Sequence, residues 1–185
     1  VLARSGGGNV VYCQLVPYHL TSARGAVASF VPDAGEALEG AKSALVTMGT
    51  TTQAGVQFGQ AVRFEPQVGR SYTLACCVKG VGGPIRVHLE VERAGRPWDR
   101  AVKAPEVEVP ADMWTDVHTT FKCETAFPEG WQAYLGCAQD GGRFRADAFR
   151  LYEGDYVPWQ AGAEGPNNLM TNAGFEEGQK PWSFR

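Results

Sequence analysis

An antiparallel β-sandwich or barrel is the fold class that this chain predicts, on three observations. Short alternating runs of apolar and polar residues recur every ten to fifteen residues, and Gly, Pro and Asp separate them. Helical periodicity is almost absent. The chain of 185 residues is 44% hydrophobic and 20% charged, which gives a single domain enough apolar surface for a core without metal or disulfide staples.

Alternation places strands near Val10–Leu15, Gly25–Phe30, Ser43–Met48, Gly55–Phe64, Ser71–Val78, Ile85–Arg93, Thr115–Cys123, Trp131–Ala138 and Phe144–Tyr152. Glu36–Lys42 has room for one short helical turn. Arg143 to Trp159 reads as a strand closed by Gly154 and stopped by Pro158. Residues 1–8 and 161–167 read as linkers around a module spanning 9–160. Asn168–Arg185 then reads as the opening strand of a following module or as a docking strand. The chain is therefore expected to be a segment of a longer, multi-modular protein.

The net charge of −3 and the lack of a contiguous basic run argue against a nucleic-acid partner. No apolar run approaches the roughly 18 residues of a membrane span, so no membrane insertion is expected. Five cysteines occur, none in a C-x-x-C spacing: Cys13, Cys76, Cys77, Cys123 and Cys137. Buried thiols acting as small hydrophobes are the expectation, with one Cys123–Cys137 disulfide as the alternative.

Period-two alternation assigns faces. Tyr72, Leu74, Cys76 and Val78 point inward, and Thr73, Ala75 and Cys77 outward. Ile85, Val87, Leu89 and Val91 belong to the core, while Arg86, His88, Glu90 and Glu92 line the other face. Val117, Thr119 and Phe121 point inward, leaving Asp116, His118 and Thr120 outside. Trp131, Ala133, Leu135 and Cys137 share one side, Gln132 and Tyr134 the other. If these strands are neighbours, Arg86, His88, Glu90, His118, Gln132 and Tyr134 line a shallow groove; otherwise they form an ordinary solvated face. Trp114 and Trp131 have the inward phase of core residues.

The sequence carries no Gly-rich phosphate loop, no G-x-S-x-G elbow and no H-E-x-x-H. His19, His88 and His118 are scattered, and Glu90 with Glu92 lies on an outward face too solvated to raise one pKa for acid catalysis. The expectation is a protein that is not an enzyme.

Four motifs in series resemble the jelly-roll carbohydrate-binding modules of the family four, nine and twenty-two type: Gly40–Val46, Val68–Lys79, Trp114–Phe121 and Ala146–Gly154. The resemblance spans roughly Leu38 to Trp159. It implies a jelly roll that binds glycan on an outer sheet face, in an extracellular or cell-surface setting. Sugar rings stack an apolar face on aromatic planes and offer hydroxyls to amides, guanidinium groups and carboxylates. Tyr134, Gln132, Arg86, His88 and Glu90 are such a set, with His118 beside them and Trp98 either walling one end or anchoring its loop. Polysaccharide or surface glycan is the implied partner.

The usual family opening, N-L-l-x-N-x-G-F-E, stands here at Asn168–Glu176, after the module. Modules of this type often hold a structural calcium at the joint of first and last strands. The resemblance assigns that role to Asp147, Glu176 and the carbonyls near Gly40 and Lys42. The displaced opening also suits a different class: a structural repeat or subunit of a surface fibre, sheath or phage tail appendage. There the 168–185 segment would pair with self or an adjacent repeat by strand addition.

Overall fold

The structure, a computed structural model, describes residues 2–4, 10–12, 20–21, 27–51, 55–163 and 165–184, with side chains described over 27–51, 55–163 and 165–183. Among the described residues there are strands, turns and bends but no helix. In chain order the strands are β1 Leu2–Arg4, β2 Val10–Tyr12, β3 Leu20–Thr21, β4 Val27–Asp33, β5 Ser43–Met48, β6 Val56–Val62 and β7 Ser71–Gly80. They continue with β8 Ile85–Arg93, β9 Arg100–Lys103, β10 Val107–Val109, β11 Thr115–Lys122, β12 Trp131–Cys137, β13 Arg143–Glu153 and β14 Ser183–Phe184.

Two six-stranded sheets face each other. One runs β10-β8-β12-β6-β14, with β9 also on β8; the other runs β11-β7-β13-β5-β4-β3. β1 and β2 pair separately, and every strand pair is antiparallel. The alternation places Leu74, Cys76 and Val78 of β7 and Val87, Leu89 and Val91 of β8 in the core between the sheets.

The core has two aromatic ends. Trp131 packs against Tyr72 at 4.8 Å, Phe64 at 5.0 Å and Phe121 at 5.1 Å between ring centroids. At the other end Phe58 meets Phe30, Phe149, Phe175 and Trp182. Phe175 is 0% exposed and Trp182 lies 4.4 Å from Phe149, so the tail that opens with Asn168 belongs to this sandwich. β14 extends it by pairing with β6.

Three expectations meet a different local structure. Glu36–Lys42 forms turns and bends, because the amides a helix would use are committed to side-chain carboxylates. Trp114 is half-buried under the Lys79 ammonium rather than in the core. Cys76, Cys77, Cys123 and Cys137 are all buried free thiols, so the Cys123–Cys137 disulfide is not formed. Burial pushes the Cys77 thiol up to about 12, with the Asp116 charge adding to it, which leaves that thiol unreactive at neutral pH. Cys13 and His19 lie outside the described residues.

Candidate functional site

The outer face of the β8 sheet is built by register. Opposite β8, the β12 strand sets Gly136 against His88, Tyr134 against Glu90 and Gln132 against Glu92. Two glycines let rings lie flat on this face. A Cβ at Gly136 would meet the His88 ring at 2.3 Å, and one at Gly59 would meet Tyr134 Cδ1 at 2.6 Å and the Ala133 carbonyl at 1.9 Å. Any larger residue would lift the rings from the sheet.

His88, Glu90 and Tyr134 are therefore buried, unlike the solvated groove that alternation suggests. Period two fixes which side a residue faces, not what covers that side. Glu90 is 2% exposed and accepts from Arg100 Nε and from Gln57 Nε2 at 3.3 Å, while His88 Nε2 stands 3.5 Å from its Oε2. Burial alone would raise the Glu90 carboxyl. The bonds from His88, Arg100 and Gln57 and the Arg100 charge outweigh it and hold the carboxyl at about 2. Tyr134 donates its hydroxyl to Gln132 Oε1.

What stays accessible lies at the ends of this face. Arg86 is exposed and pairs loosely with Glu108, Nε to Oε2 at 3.4 Å. Gln139 braces the same corner, accepting from the Arg86 amide at 3.3 Å and donating to the Pro84 carbonyl at 3.3 Å. Together with Glu106, these residues line an open cleft of about 480 Å³. At the other end Gln132 is half-buried, and Trp98 is 40% exposed in the loop between β8 and β9 with the Arg96 guanidinium over its ring at 5.1 Å.

His118 does not belong to this face. It sits on β11, at the edge of the β7 sheet, and stacks on Tyr156 with 3.5 Å between ring centroids. Both sheets present outward polar positions, and alternation does not say which sheet a strand joins. The stack fastens the loop after β13. Asp116 accepts from the Tyr156 hydroxyl at 2.8 Å and the Trp159 amide at 2.8 Å, and pairs with Arg150. Val157 is held at both ends of its peptide, its amide donating to Tyr152 Oη at 2.7 Å and its carbonyl accepting from Arg150 Nη1 at 3.3 Å.

The residues assigned to calcium do come together. Asp147 Oδ2 accepts from the amides of Leu38 at 2.8 Å and Glu39 at 3.1 Å, and its Oδ1 from Ala148 at 2.7 Å. Glu176 Oε1 accepts from the amides of Ala41 at 2.7 Å and Lys42 at 2.9 Å, and Lys42 Nζ donates to the Glu176 carbonyl at 2.7 Å. Gly40 closes the turn: a Cβ there would meet Glu176 Oε1 at 2.4 Å. A hard cation wants six to eight oxygens, whereas backbone N–H groups meet these carboxylates and an ammonium takes the Glu176 carbonyl. Among the described residues no group of three or more His, Cys, Asp or Glu is arranged to hold a metal. This donor set does not fit calcium. Burial pushes Asp147 up to about 6 even though three amides oppose the rise.

Sequence reasoning missed Gln57, Arg100, Glu106, Glu108 and Gln139 around the first face, and Arg150 and Trp159 on the second. Asp116, an acid at an outward position, with the aromatics Tyr156 and Trp159 clustered just past the end of β13, was the available signal for the loop.

No protein-family model matches the chain, and no curated protein sequence does. Among solved structures the fold is similar to a family 4 carbohydrate-binding module, with a TM-score of 0.53 and 17% identity over 66% of this chain and 78% of that one. It is similar to the CBM22-1 xylan-binding domain of Paenibacillus barcinonensis Xyn10C, at 0.52 and 16% over 70% and 83%. It is also similar to the CBM22-1 and GH10 modules of Clostridium thermocellum endo-1,4-beta-D-xylanase 10B complexed with xylohexaose, at 0.51 and 15% over 72% and 26%. The all-β architecture is thus the jelly-roll fold seen in the carbohydrate-binding modules of families 4 and 22.

Proposed function

We propose that the chain is a non-catalytic glycan-binding module that works outside the cell and takes its polysaccharide on the outer face of the β8 sheet. The observation that carries this reading is the cleft of about 480 Å³ at the Arg86 end of that face. Its guanidinium, two carboxylates and amide are the bidentate partners that vicinal hydroxyls want, and Pro84 offers an apolar surface to a sugar C–H face. The buried centre, from His88 through Glu90 to Tyr134, supports it by holding the strands beneath in one geometry. The jelly-roll likeness to xylan-binding modules supports the substrate class.

The test is native electrophoresis through gels containing xylan, mixed-linkage β-glucan or an acidic polysaccharide. The wild type is retarded by at least one, and an Arg86→Ala/Gln139→Ala variant runs free. Unchanged mobility of the wild type in every gel overturns the reading. The strand-addition alternative gains no support from the fold, since Phe175 and Trp182 are spent on the core of their own chain.

A further inference from the structure

The sandwich has one long open edge. At its other edges β3, β9, β10 and β14 run only two to four residues, whereas β11 runs eight and pairs on one side alone, with β7. Short edge strands, Pro, bulges and lysines are the usual guards against a second chain. β11 contains no Pro, its register with β7 is unbroken, and its single lysine, Lys122, stands at the end.

Which main-chain groups are free follows from the end of the strand. The Cys123 amide donates to the Arg70 carbonyl at 2.8 Å and the Cys123 carbonyl accepts from the Gly69 amide at 2.8 Å, so Cys123 turns both groups toward the β7 side. Alternation then turns Phe121, Thr119, Val117 and Thr115 the same way. The N–H and C=O groups of Asp116, His118, Thr120 and Lys122 point away from β7, and among the described residues no hydrogen bond reaches them. Such a row is a template for another strand.

The side chains select that strand. Paired antiparallel with a copy of itself about a two-fold axis at Thr119, β11 sets Asp116 opposite Lys122, Val117 opposite Phe121 and His118 opposite Thr120. The four outward N–H groups of each copy then meet outward carbonyls of the other. Lys122 is exposed and has no ion-pair partner among the described residues. Asp116 is held in place by Tyr156 and Trp159 at Oδ2, while its Oδ1 accepts from Arg150 alone and has room for a second donor. Neighbouring registers lose the match: an axis at His118 sets His118 against itself, and one at Thr120 sets it against Lys122. Opposite charges across a strand pair stabilise it and like charges oppose it.

We propose that β11 is a dimerisation edge whose occupant is a second copy of this chain in that register, so that the β7 sheets of the two copies run on into one. The two-fold axis uses up both edges and closes the assembly instead of extending it into a fibre. The 168–185 tail takes no part, and the dimer stands or falls separately from the glycan reading of the β8 sheet.

The experiment is sedimentation equilibrium of the full chain from about 10 µM to 1 mM, a range suited to a contact of one strand pair, at the small end of protein interfaces. The weight-average mass should climb from 20.0 kDa toward twice that value. Thr120→Pro removes an outward N–H, leaves the β7 pairing intact and holds the chain at the monomer mass. Lys122→Glu, at an exposed position, faces a carboxylate with a carboxylate twice in the dimer and weakens association about ten-fold; it decides the matter if the proline variant unfolds. Thr119→Cys, set against its own copy at roughly 4.5 Å between Cα atoms, gives a disulfide-linked dimer on mild oxidation that the wild type does not. The proposal is overturned by a monomer mass up to the highest concentration, by a wild-type dimer that Lys122→Glu leaves unchanged, or by a Thr119→Cys chain that fails to cross-link where the wild type dimerises.

Discussion

Glu90 on β8 and Asp147 on β13 both project from the outer side of a sheet, and both are buried. Their partners differ in kind. Glu90 meets the Arg100 guanidinium, an imidazole and an amide side chain, and its carboxyl is held at about 2. Asp147 meets three backbone amides and, among the described residues, no cation, and its carboxyl stands at about 6. Burial disfavours both charges, so the comparison isolates the answer each receives: side-chain hydrogen bonds from His88, Arg100 and Gln57, joined by the Arg100 charge, outweigh desolvation here, and three backbone amides do not. The two carboxylates also hold different things. Glu90 rigidifies a face built from neighbouring strands, whereas Asp147 helps hold the 36–42 turn beside the docked tail.

The largest expected effect tests that tail. Phe175→Ala removes a ring packed among Phe58, Phe149 and Trp182, and truncation at a fully buried aromatic costs about 3–5 kcal/mol. Urea unfolding should show this loss, and a change below about 1 kcal/mol would mean that the tail does not close this sandwich. Next is Glu90→Gln. The folded carboxyl lies below its ordinary 4.5, so its contribution is present above that pH and fades as pH falls toward 2. The shift is equivalent to about 3 kcal/mol at neutral pH. Midpoints of wild type and variant should therefore converge between about pH 4.5 and 2, and a constant gap would break the account of an ionised carboxylate held by its donors.

Asp147→Asn should show the opposite slope over a narrower interval. The folded carboxyl lies above its ordinary 3.8, so the native state binds the proton more tightly. The contribution is fully present below that pH and is lost as pH rises through about 6. Relative to the variant, the wild type loses stability between those values and is level above them. A wild type that gains on the variant over this interval would show that the three amides, not burial, control the group.

How much of this was legible follows from what period two encodes. Val87, Leu89 and Phe121 announced a core because each alternates with polar neighbours on its own strand, and Leu74 because it shares the inward phase of Tyr72 and Val78. Strand partnership is not local, so His118 looked like a neighbour of His88 while sitting on the other sheet. Cover is not local either: Glu90 and Cys77 hold outward positions, yet both are buried. Asn168 to Glu176 resembled an opening strand, and only packing shows it closing the chain that carries it. Trp159 fell just past the Pro158 stop of a strand and drew no role, because its partner Asp116 comes from a strand distant in sequence.

The smallest expected effect concerns metal. A cation present at a hundred times its dissociation constant stabilises a folded protein by about 2.7 kcal/mol. At this chain length that is a rise of roughly 5–10 °C in the unfolding midpoint. Because the Asp147 and Glu176 carboxylates are met by amide donors from Leu38, Glu39, Ala41 and Lys42, millimolar calcium and excess chelator should give the same midpoint. The measurement separates two ways of closing one joint. A rise with calcium would require the 36–42 turn to rotate its carbonyls inward in place of its N–H groups. Lys42→Ala would then raise the gain, since its ammonium sits on the Glu176 carbonyl. With calcium inert, the same substitution removes a hydrogen bond between exposed groups and lowers the midpoint only slightly.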